Sequence, residues 1–419
     1  MAHPAQRQSH HHIGHFVPDM PSAHSPMISF DTAMRIVSEQ AKALPAESVP
    51  LDQAAWRVLS ADLFARRPSP FHAVSAMDGY AVRDSDLAKL PVCLPVVGNS
   101  FAGHGFHGPL PPASCVRIFT GATLPEECDR VVIQEDVLQT GNAAHFTAPQ
   151  TERRHLRRAG SDFFSGDRLL PAGSLLTPQR LVCAAAADLA CVEVHRQPRV
   201  AILCCGDELA DPGQAGDDAD RIPESLSYGV AALVQAWGGL VVDRGRCEDN
   251  LETLKSAARR AADRADIVVV IGGASVGEKD FGKEAFTGLQ FLFTKVAIRP
   301  GKPIWFGKDT RVLVVGLPGN PTSAMVTARL FLAPLVAGMS GRGCREAWRW
   351  QDMRINGRLD AGDGRDCFTR ATISGVTVTP IQDQDSGSQK ALGFATHLIR
   401  HRADAPAVRP GELVETLSL

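Results

Sequence analysis

Two apolar runs in the second half of the chain, IVVVIGGASVGEKDF at 267–281 and VLVVGLPGNPTSAM at 312–325, each end in a glycine-rich turn. Ile267 to Ile271 and Val312 to Val315 are short, mostly β-branched and continuous rather than alternating, the pattern of strands buried on both faces of a parallel sheet. Ligands of such sheets bind beyond the carboxyl ends of the strands. Gly272, Gly273 and Gly277 in the first turn, and Gly316 and Gly319 in the second, let backbone N–H groups approach an anionic or planar ligand closely. Tight strand-to-helix corners also use glycine. Two such turns in one α/β unit, with Asp280 and Lys302 close in sequence, point beyond a plain corner to a site.

The surrounding order is regular from Pro198 onward. Strands expected at 199–204, 239–243, 267–271 and 312–315 alternate with helices at 225–237, 251–264 and 322–339, which predicts a doubly wound α/β domain. At 419 residues the chain exceeds what one growing core supports, so further domains are expected. Residues 1–25 carry His3, His10, His11, His12, His15 and His24 without hydrophobic periodicity and read as a disordered arm. Such a tract binds metal adventitiously, but nothing in it fixes a coordination geometry. Asp31 reads as the N-cap of a helix over 32–44, where Ala33, Ile36, Val37 and Ala41 recur at helical spacing, and a second helical stretch is expected at 51–58. Between about 60 and 151, β-prone pieces at 92–97, 115–119 and 129–137 are separated by Gly and Pro clusters, as in a small irregular β domain. Residues 152–196 are mixed, and Arg153, Arg154, Arg157 and Arg158 read as a solvated face. After Gly341, alternating strands at 373–380, 398–401 and 413–417 read as a small β barrel or sandwich.

Charge and cysteine usage exclude several classes. The net charge is −2 with both signs interspersed, so no nucleic-acid-binding tail is implied and an anionic ligand must be met locally. No apolar run reaches ~18 residues and the amino terminus lacks a signal-peptide pattern; a cytoplasmic protein without a membrane span is expected. Ten cysteines show no CxxC pair or paired spacing with His, which argues against structural zinc and for most of them being buried reduced thiols.

Several side chains offer chemistry. Asp78, in SAMDGYAV, is predicted at the tip of an Asp-Gly turn. Asp207 and Glu208 follow the strand AILCC, which puts two carboxylates at the carboxyl edge of the sheet, where they hold Mg²⁺ or raise one another's pKa. Asp280 follows the Ser275-Val276-Gly277 turn. Lys302, between Gly301 and Pro303, is a point charge suited to phosphate or another oxyanion.

These residues also carry a family resemblance. SAMDGYAVR at 75–83, RIFTGATLPEECDRVVIQED at 117–136, GDRLLPAG at 166–173, CGDELADPG at 205–213, GGASVGEKDF at 272–281, RPGKPIWFG at 299–307 and GLPGNPTSA at 316–324 occur in the order found in the molybdopterin molybdenumtransferases. The chain from Ser29 to Leu419 thus resembles the MoeA family, which is shared with the carboxyl-terminal domain of gephyrin. The resemblance implies a multidomain α/β plus β fold: a partly helical linking domain at 26–59 and 152–196, an irregular β domain at 60–151, an α/β molybdopterin-binding domain at 197–341, and a β barrel at 342–419. It implies a final step of molybdenum cofactor synthesis, in which molybdate enters the dithiolene of adenylylated molybdopterin and AMP leaves, with Mg²⁺ required. It also implies a homodimer whose cleft sets Asp78 and Thr120 of one subunit against Asp280 of the other, and exchange with a molybdopterin adenylyltransferase and recipient molybdoenzymes.

Carried over by position, Asp78, Thr120, Glu208, Asp249, Asp280 and Lys302 are implied catalytic residues, with Glu208 and Asp280 orienting the metal. Gly272, Gly273, Ser275, Gly277, Gly301, Pro318, Gly319, Asn320 and Pro321 are implied to hold the pterin and its phosphate. Two departures stand out: Cys205 replaces a family threonine, and Glu224-Ser225-Leu226 replaces a family Asp-Ser-Asn. A thiol is a weak donor, and Leu226 replaces neither the donor nor the acceptor of an amide. A paralogue that binds and delivers the cofactor without turnover is therefore the alternative reading. A gephyrin-like scaffold is weaker, because it needs a peptide groove that sequence does not reveal.

Overall fold

The computed structural model describes residues 26–272, 281–286 and 288–419. The predicted arm at 1–25 lies outside them, as does most of the first glycine-rich turn. The chain forms two units, one of residues up to Leu44 together with Gln197–Leu419, the other of Pro45–Arg196.

The centre of the first unit is a six-stranded sheet. Its strands are β1 (Arg199–Cys205), β2 (Leu240–Cys247), β3 (Ile267–Ile271), β4 (Gln290–Phe293), β5 (Trp305–Lys308) and β6 (Leu313–Leu317), in the spatial order β2-β1-β3-β6-β5-β4. Pairing is parallel from β2 to β6, while β5 runs antiparallel to both of its neighbours. Side chains alternate between two cores. Val200, Ile202, Cys204, Ile267, Val269 and Ile271 face one, and Ala201, Leu203, Cys205, Val268 and Val270 face the other. This is why both runs lack a polar alternate.

Helices cover both faces. α1 (Leu226–Ala236) buries Val230 and Val234 in the first core, and α2 (Leu251–Arg264) buries Leu254, Ala257, Ala258 and Ala261 in the second. Asn250 caps α2 by accepting from the N–H groups of Glu252 and Thr253. The expected helix at 322–339, α3, begins as Pro321–Thr327, widens into a π turn over Ala328–Leu332 and ends as Ala333–Met339. Pro334 has no N–H to return to Leu330, and the Leu330 carbonyl instead accepts from Trp348 Nε1 at 2.8 Å. Pro321–Met339 is long and apolar enough to cross a membrane, yet 94% of its most apolar stretch is buried inside the fold, as befits a core helix.

The expected helix at 32–44 is Phe30–Gln40, and its cap is Ser29, whose Oγ accepts from Thr32 N at 3.1 Å. Asp31, expected as the cap, lies in the first turn and accepts from Arg400 Nη2 at 2.7 Å. Phe30, Ala33 and Val37 enter the same core as α1 and α3, so this helix belongs with the α/β unit rather than with residues 152–196.

Five strands after Gly341 close on themselves: β7 (Gln351–Ile355), β8 (Asp366–Ser374), β9 (Thr377–Pro380), β10 (His397–His401) and β11 (Leu413–Ser418). The order β8-β9-β7-β11-β10, with β10 paired back to β8, makes a barrel and resolves the barrel-or-sandwich alternative. The single strand expected at 373–380 is broken at Gly375, whose φ of +59° makes it a hairpin turn.

The second unit holds a six-stranded sheet in the order Arg130–Ile133, Gly79–Val82, Cys115–Ile118, Val92–Ser100, Ala143–Phe146 and Val137–Thr140. Ala46–Pro50 pairs with Cys191–His195, which ties together the two ends of this unit. The helix expected at 51–58 is only a single 3-10 turn, Leu51–Gln53. Trp56, at φ +63°, ends it, and Val58 and Leu59 bridge instead to Leu175 and Val194.

Candidate functional site: a cavity at the switch of the sheet

Strand order reverses between β1 and β3, because β1 leads outward to β2 and the chain then returns to the other side of β1. Open α/β sheets bind ligands at such a point. A cavity of about 630 Å³ lies there, walled by Cys204, Cys205 and Gly206 after β1, Ile271 and Gly272 after β3, and Pro318, Gly319, Asn320 and Pro321 after β6.

Gly272, the first residue of one glycine turn, meets the other turn in this wall. Gly272 N donates to Leu317 O at 3.2 Å. A Cβ built on Gly319 would stand 3.6 Å from the Gly272 Cα. Gly272 has φ +81°, and its own Cβ would lie 2.6 Å from the Cys205 carbonyl oxygen, so only glycine fits. Gly316 serves packing instead. It lies within β6, where a Cβ would stand 1.8 Å from the Trp305 indole.

The carboxylates divide their roles. Glu208 and Asp249 line the cavity. Asp207, expected beside Glu208 as a metal or proton group, instead accepts the Asp249 N–H at 2.9 Å and pins the end of β2 against the end of β1. Among the described residues no three His, Cys, Asp or Glu side chains converge as a metal cage. Asp280, Gly273, Ser275 and Gly277 lie outside the described residues. Gly301 and Lys302 sit in the turn beside α3. The described cavity lining there is Pro303, while the Lys302 side chain is exposed.

Asp78 and Thr120, in the second unit, are brought together across 42 residues. Asp78 Oδ1 accepts from both the backbone N and the Oγ1 of Thr120, each at 2.8 Å. The Thr120 backbone bond, its hydroxyl bond and the field of Arg117 hold the Asp78 carboxyl below its ordinary pKa, against a smaller opposing effect of burial. Asp78 occupies a bend, but Gly79 is no hairpin residue. It starts the strand Gly79–Val82, where a Cβ would stand 2.0 Å from the carbonyl oxygen of Val132 on the neighbouring edge strand.

Sequence reasoning missed two side chains of the cavity. Glu224 is almost fully buried, and its carboxylate accepts from Ser227 N at 2.7 Å, from Ser227 Oγ and from Cys204 Sγ at 3.4 Å. It caps α1, the task that the formal cap Ser225 leaves undone. Gln389, on a short helix of the barrel region, donates to Ser225 Oγ at 3.1 Å across the rim. Glu224 was legible as a departure from the family triplet, whereas Gln389 has no local signal. Burial pushes the Cys205 thiol up to about 12, with Cys247 and Asp249 adding to the effect, and burial raises Cys204 further. All ten cysteines are free.

The fold and cavity define an α/β ligand-binding protein with its site at the switch of a doubly wound sheet and a β barrel appended. The family described as "MoeA N-terminal region (domain I and II)" matches residues 28–187, and that described as "Probable molybdopterin binding domain" matches residues 201–338. The molybdopterin molybdenumtransferase of Haemophilus influenzae is 38% identical over 322 residues, covering 75% of this chain and 78% of that protein. The Synechococcus elongatus protein of the same name is 32% identical over 413 residues, covering 94% and 100%. The molybdopterin biosynthesis moeA protein of Pyrococcus horikoshii OT3 shares the fold, with a TM-score of 0.77 at 24% identity over 94% of this chain and 100% of that one. The chain belongs to the MoeA family of molybdopterin molybdenumtransferases.

Proposed function

We propose that this chain is a molybdopterin molybdenumtransferase acting in molybdenum cofactor biosynthesis: it takes adenylylated molybdopterin, releases AMP and leaves molybdenum, supplied as molybdate, on the dithiolene. The observation that carries the reading is the convergence of Gly272, the turn Pro318–Pro321, Glu208 and Asp249 on one cavity at the switch of the sheet.

The residues present fit a requirement for Mg²⁺. Carboxylates alone in that wall would repel a pyrophosphate, and Mg²⁺ needs no closed protein cage, because it keeps waters and completes its shell with one or two carboxylates and substrate phosphates. Glu208 and Asp280 are the groups that would hold it. Bound there, the ion supplies positive charge to phosphate oxygens. The chain itself supplies orientation and an apolar lining. Leu209, Ile222 and Leu226 form apolar walls, Pro318 and Pro321 stiffen the turn at the start of α3, and that helix presents its positive end to the cavity wall. Lys302 stands on an exposed turn from which it would meet an incoming oxyanion.

Asp78 stays ionised across the neutral range, so it orients a donor rather than giving up a proton. In the homodimer we infer, the Asp78–Thr120 pair of one subunit serves the cavity of the other, in a cytoplasmic enzyme that receives substrate from an adenylyltransferase and passes product to molybdoenzymes. Cys205 and Leu226 line the cavity where the resemblance implies polar residues, and this favours a second reading, binding and delivery without turnover. Supplying adenylylated molybdopterin, Mg²⁺ and molybdate to the purified protein separates the two. AMP release that depends on molybdate supports the enzyme, and tight binding without AMP supports delivery.

A further inference from the structure

Among the described residues, the cavity lining comes from the turns and helix starts around the α/β sheet, except for Gln389, which the barrel region supplies. A hydrogen-bonded lock holds it there. Arg370, on β8 and 1% exposed, donates from Nη1 to Thr322 Oγ1 at 3.0 Å and to the Ser388 carbonyl at 3.2 Å. Its Nη2 donates to the carbonyls of Asp383 and Asp385, both at 3.0 Å. Thr322 N donates to Ser386 O at 3.0 Å and Asn320 Nδ2 to Ser386 Oγ at 3.2 Å, which fastens the loop 383–388 to the start of α3. Ser388 then caps the helix Gln389–Phe394. The Gln389 backbone is thus fixed at the rim, and its bond to Ser225 Oγ aims the side chain at the start of α1.

That amide has capacity left. A primary amide carries two N–H donors and an oxygen with two lone pairs, of which the Ser225 bond uses one. In either orientation of the amide a donor and an acceptor remain, and neither has a further partner among the described residues. The other side chains nearby do not offer this pairing. Glu224 is spent on the cap of α1, Leu226 is apolar, and carboxylates such as Glu208 and Asp249 only accept. A phosphate would use the Gln389 N–H but meet its oxygen with like charge. The group that uses both is a neutral ring edge on which a donor stands beside an acceptor.

We propose that Gln389 is a specificity-determining residue that reads such an edge of the substrate through a pair of hydrogen bonds. The inference rests on the function proposed above and deepens it. Both rings of adenylylated molybdopterin carry an edge of this kind: the lactam of the pterin, and the amino group of adenine with its neighbouring ring nitrogen. Binding of the two halves tells these sources apart.

Molybdopterin and AMP are titrated separately by calorimetry into full-length wild type, Gln389→Leu and Ser225→Ala, with melting measured on the same samples. Gln389→Leu keeps the length of the side chain without its amide, whereas Ser225→Ala breaks the same rim bond and leaves the amide in place. Gln389→Leu is expected to lose about fivefold to 150-fold in affinity for one of the two ligands, the range for one bidentate edge contact, while Ser225→Ala keeps most of it and neither variant melts earlier. Loss confined to molybdopterin assigns the pterin edge, and loss confined to AMP assigns the adenine edge. The affected ring with its edge donor methylated, as N6-dimethyl-AMP or a pterin methylated on the lactam nitrogen, should then bind wild type and Gln389→Leu equally. Unchanged affinity for both ligands in Gln389→Leu overturns the proposal while leaving the transferase reading intact. Equal loss of both ligands, or the same loss in Ser225→Ala, marks a general loosening of the rim and also overturns it. Wild type that binds neither ligand overturns this proposal and the function together, whereas a Gln389 effect on binding without any AMP release retains the contact and removes only the turnover.

Discussion

Gly272→Ala tests the geometry on which the cavity depends. At φ +81°, an L-residue costs about 1–2 kcal/mol relative to an ordinary backbone conformation. The added methyl would stand 2.6 Å from the Cys205 carbonyl oxygen, closer than real Cβ contacts, so the ends of β1 and β3 must separate. Forcing atoms into such a wall costs about 1–3 kcal/mol. Together these give about 2–5 kcal/mol, or a fall of roughly 5–15 °C in the transition that melts the α/β unit. Gly319→Ala is the internal control. Its Cβ would meet Gly272 Cα at an ordinary 3.6 Å, and its φ is not in the left-handed region, so it should cost less than about 1 kcal/mol. Urea titration and calorimetric melting of both variants give the comparison, and molybdopterin affinity should drop only in Gly272→Ala. Equal stability of the two variants, or a Gly272→Ala protein indistinguishable from wild type, would refute the account of the two turns as a sterically closed wall.

Thr120→Val removes one of the two bonds on Asp78 Oδ1 and leaves the backbone bond, so the Asp78 pKa rises towards its ordinary value. Because the native pKa is depressed, the pair's stabilisation is complete above the unfolded value and disappears as pH falls through the lower folded one. The acid limb of a pH–rate profile should accordingly move upward, and an unmoved limb removes Asp78 from the reaction. Glu224→Ala strips three donors of their acceptor and should cost about 2 kcal/mol in urea unfolding, with Glu224→Gln costing less. Iodoacetamide at pH 8 should label exposed Cys93 and Cys191 well before Cys205, whose burial keeps it a thiol although it lines the cavity; mass-spectrometric mapping reads the order. Asp280→Ala and Glu208→Gln should each abolish molybdate-dependent AMP release without changing assembly, and turnover in either variant counts against the proposed metal-holding pair.

What the chain discloses follows the range over which each feature is determined. β3 and α2 fall on their predicted bounds because burial on two faces and an Asn cap are local facts. The cap of the first helix lies two residues before its expected place because Ser29 and Asp31 both suit that position, and Arg400, distant in sequence, engages Asp31. The stretch at 51–58 has helical spacing, but Val58 at its end bridges to Leu175 and the next residue, Leu59, to Val194, both more than 100 residues away. Within the cavity, Glu208 and Pro318 come from motifs, whereas Gln389 depends on a contact 164 residues away in sequence, which no local pattern encodes.

The departures at Cys205 and Leu226 acquire a different meaning in three dimensions. A lost amide at the start of α1 would leave its first N–H groups without an acceptor, a fault that weakens a helix end. Here the longer Glu224 side chain reaches the Ser227 N–H and hydroxyl and also takes the Cys204 thiol. Leu226 is thereby freed of any capping role and packs, with Leu209, against the same core that holds β1 and β3. Where the resemblance implies a polar wall, this chain thus presents an apolar one beside the turn, the cap and the carboxylates Glu208 and Asp249. A wall of that kind excludes water more strongly and offers a bound ring fewer hydrogen bonds, which would tune affinity rather than remove the chemistry. Restoring the polar wall with Cys205→Thr and Leu226→Asn should thus change the KM for adenylylated molybdopterin more than kcat. Turnover that appears only in the restored protein would instead establish delivery as the native role.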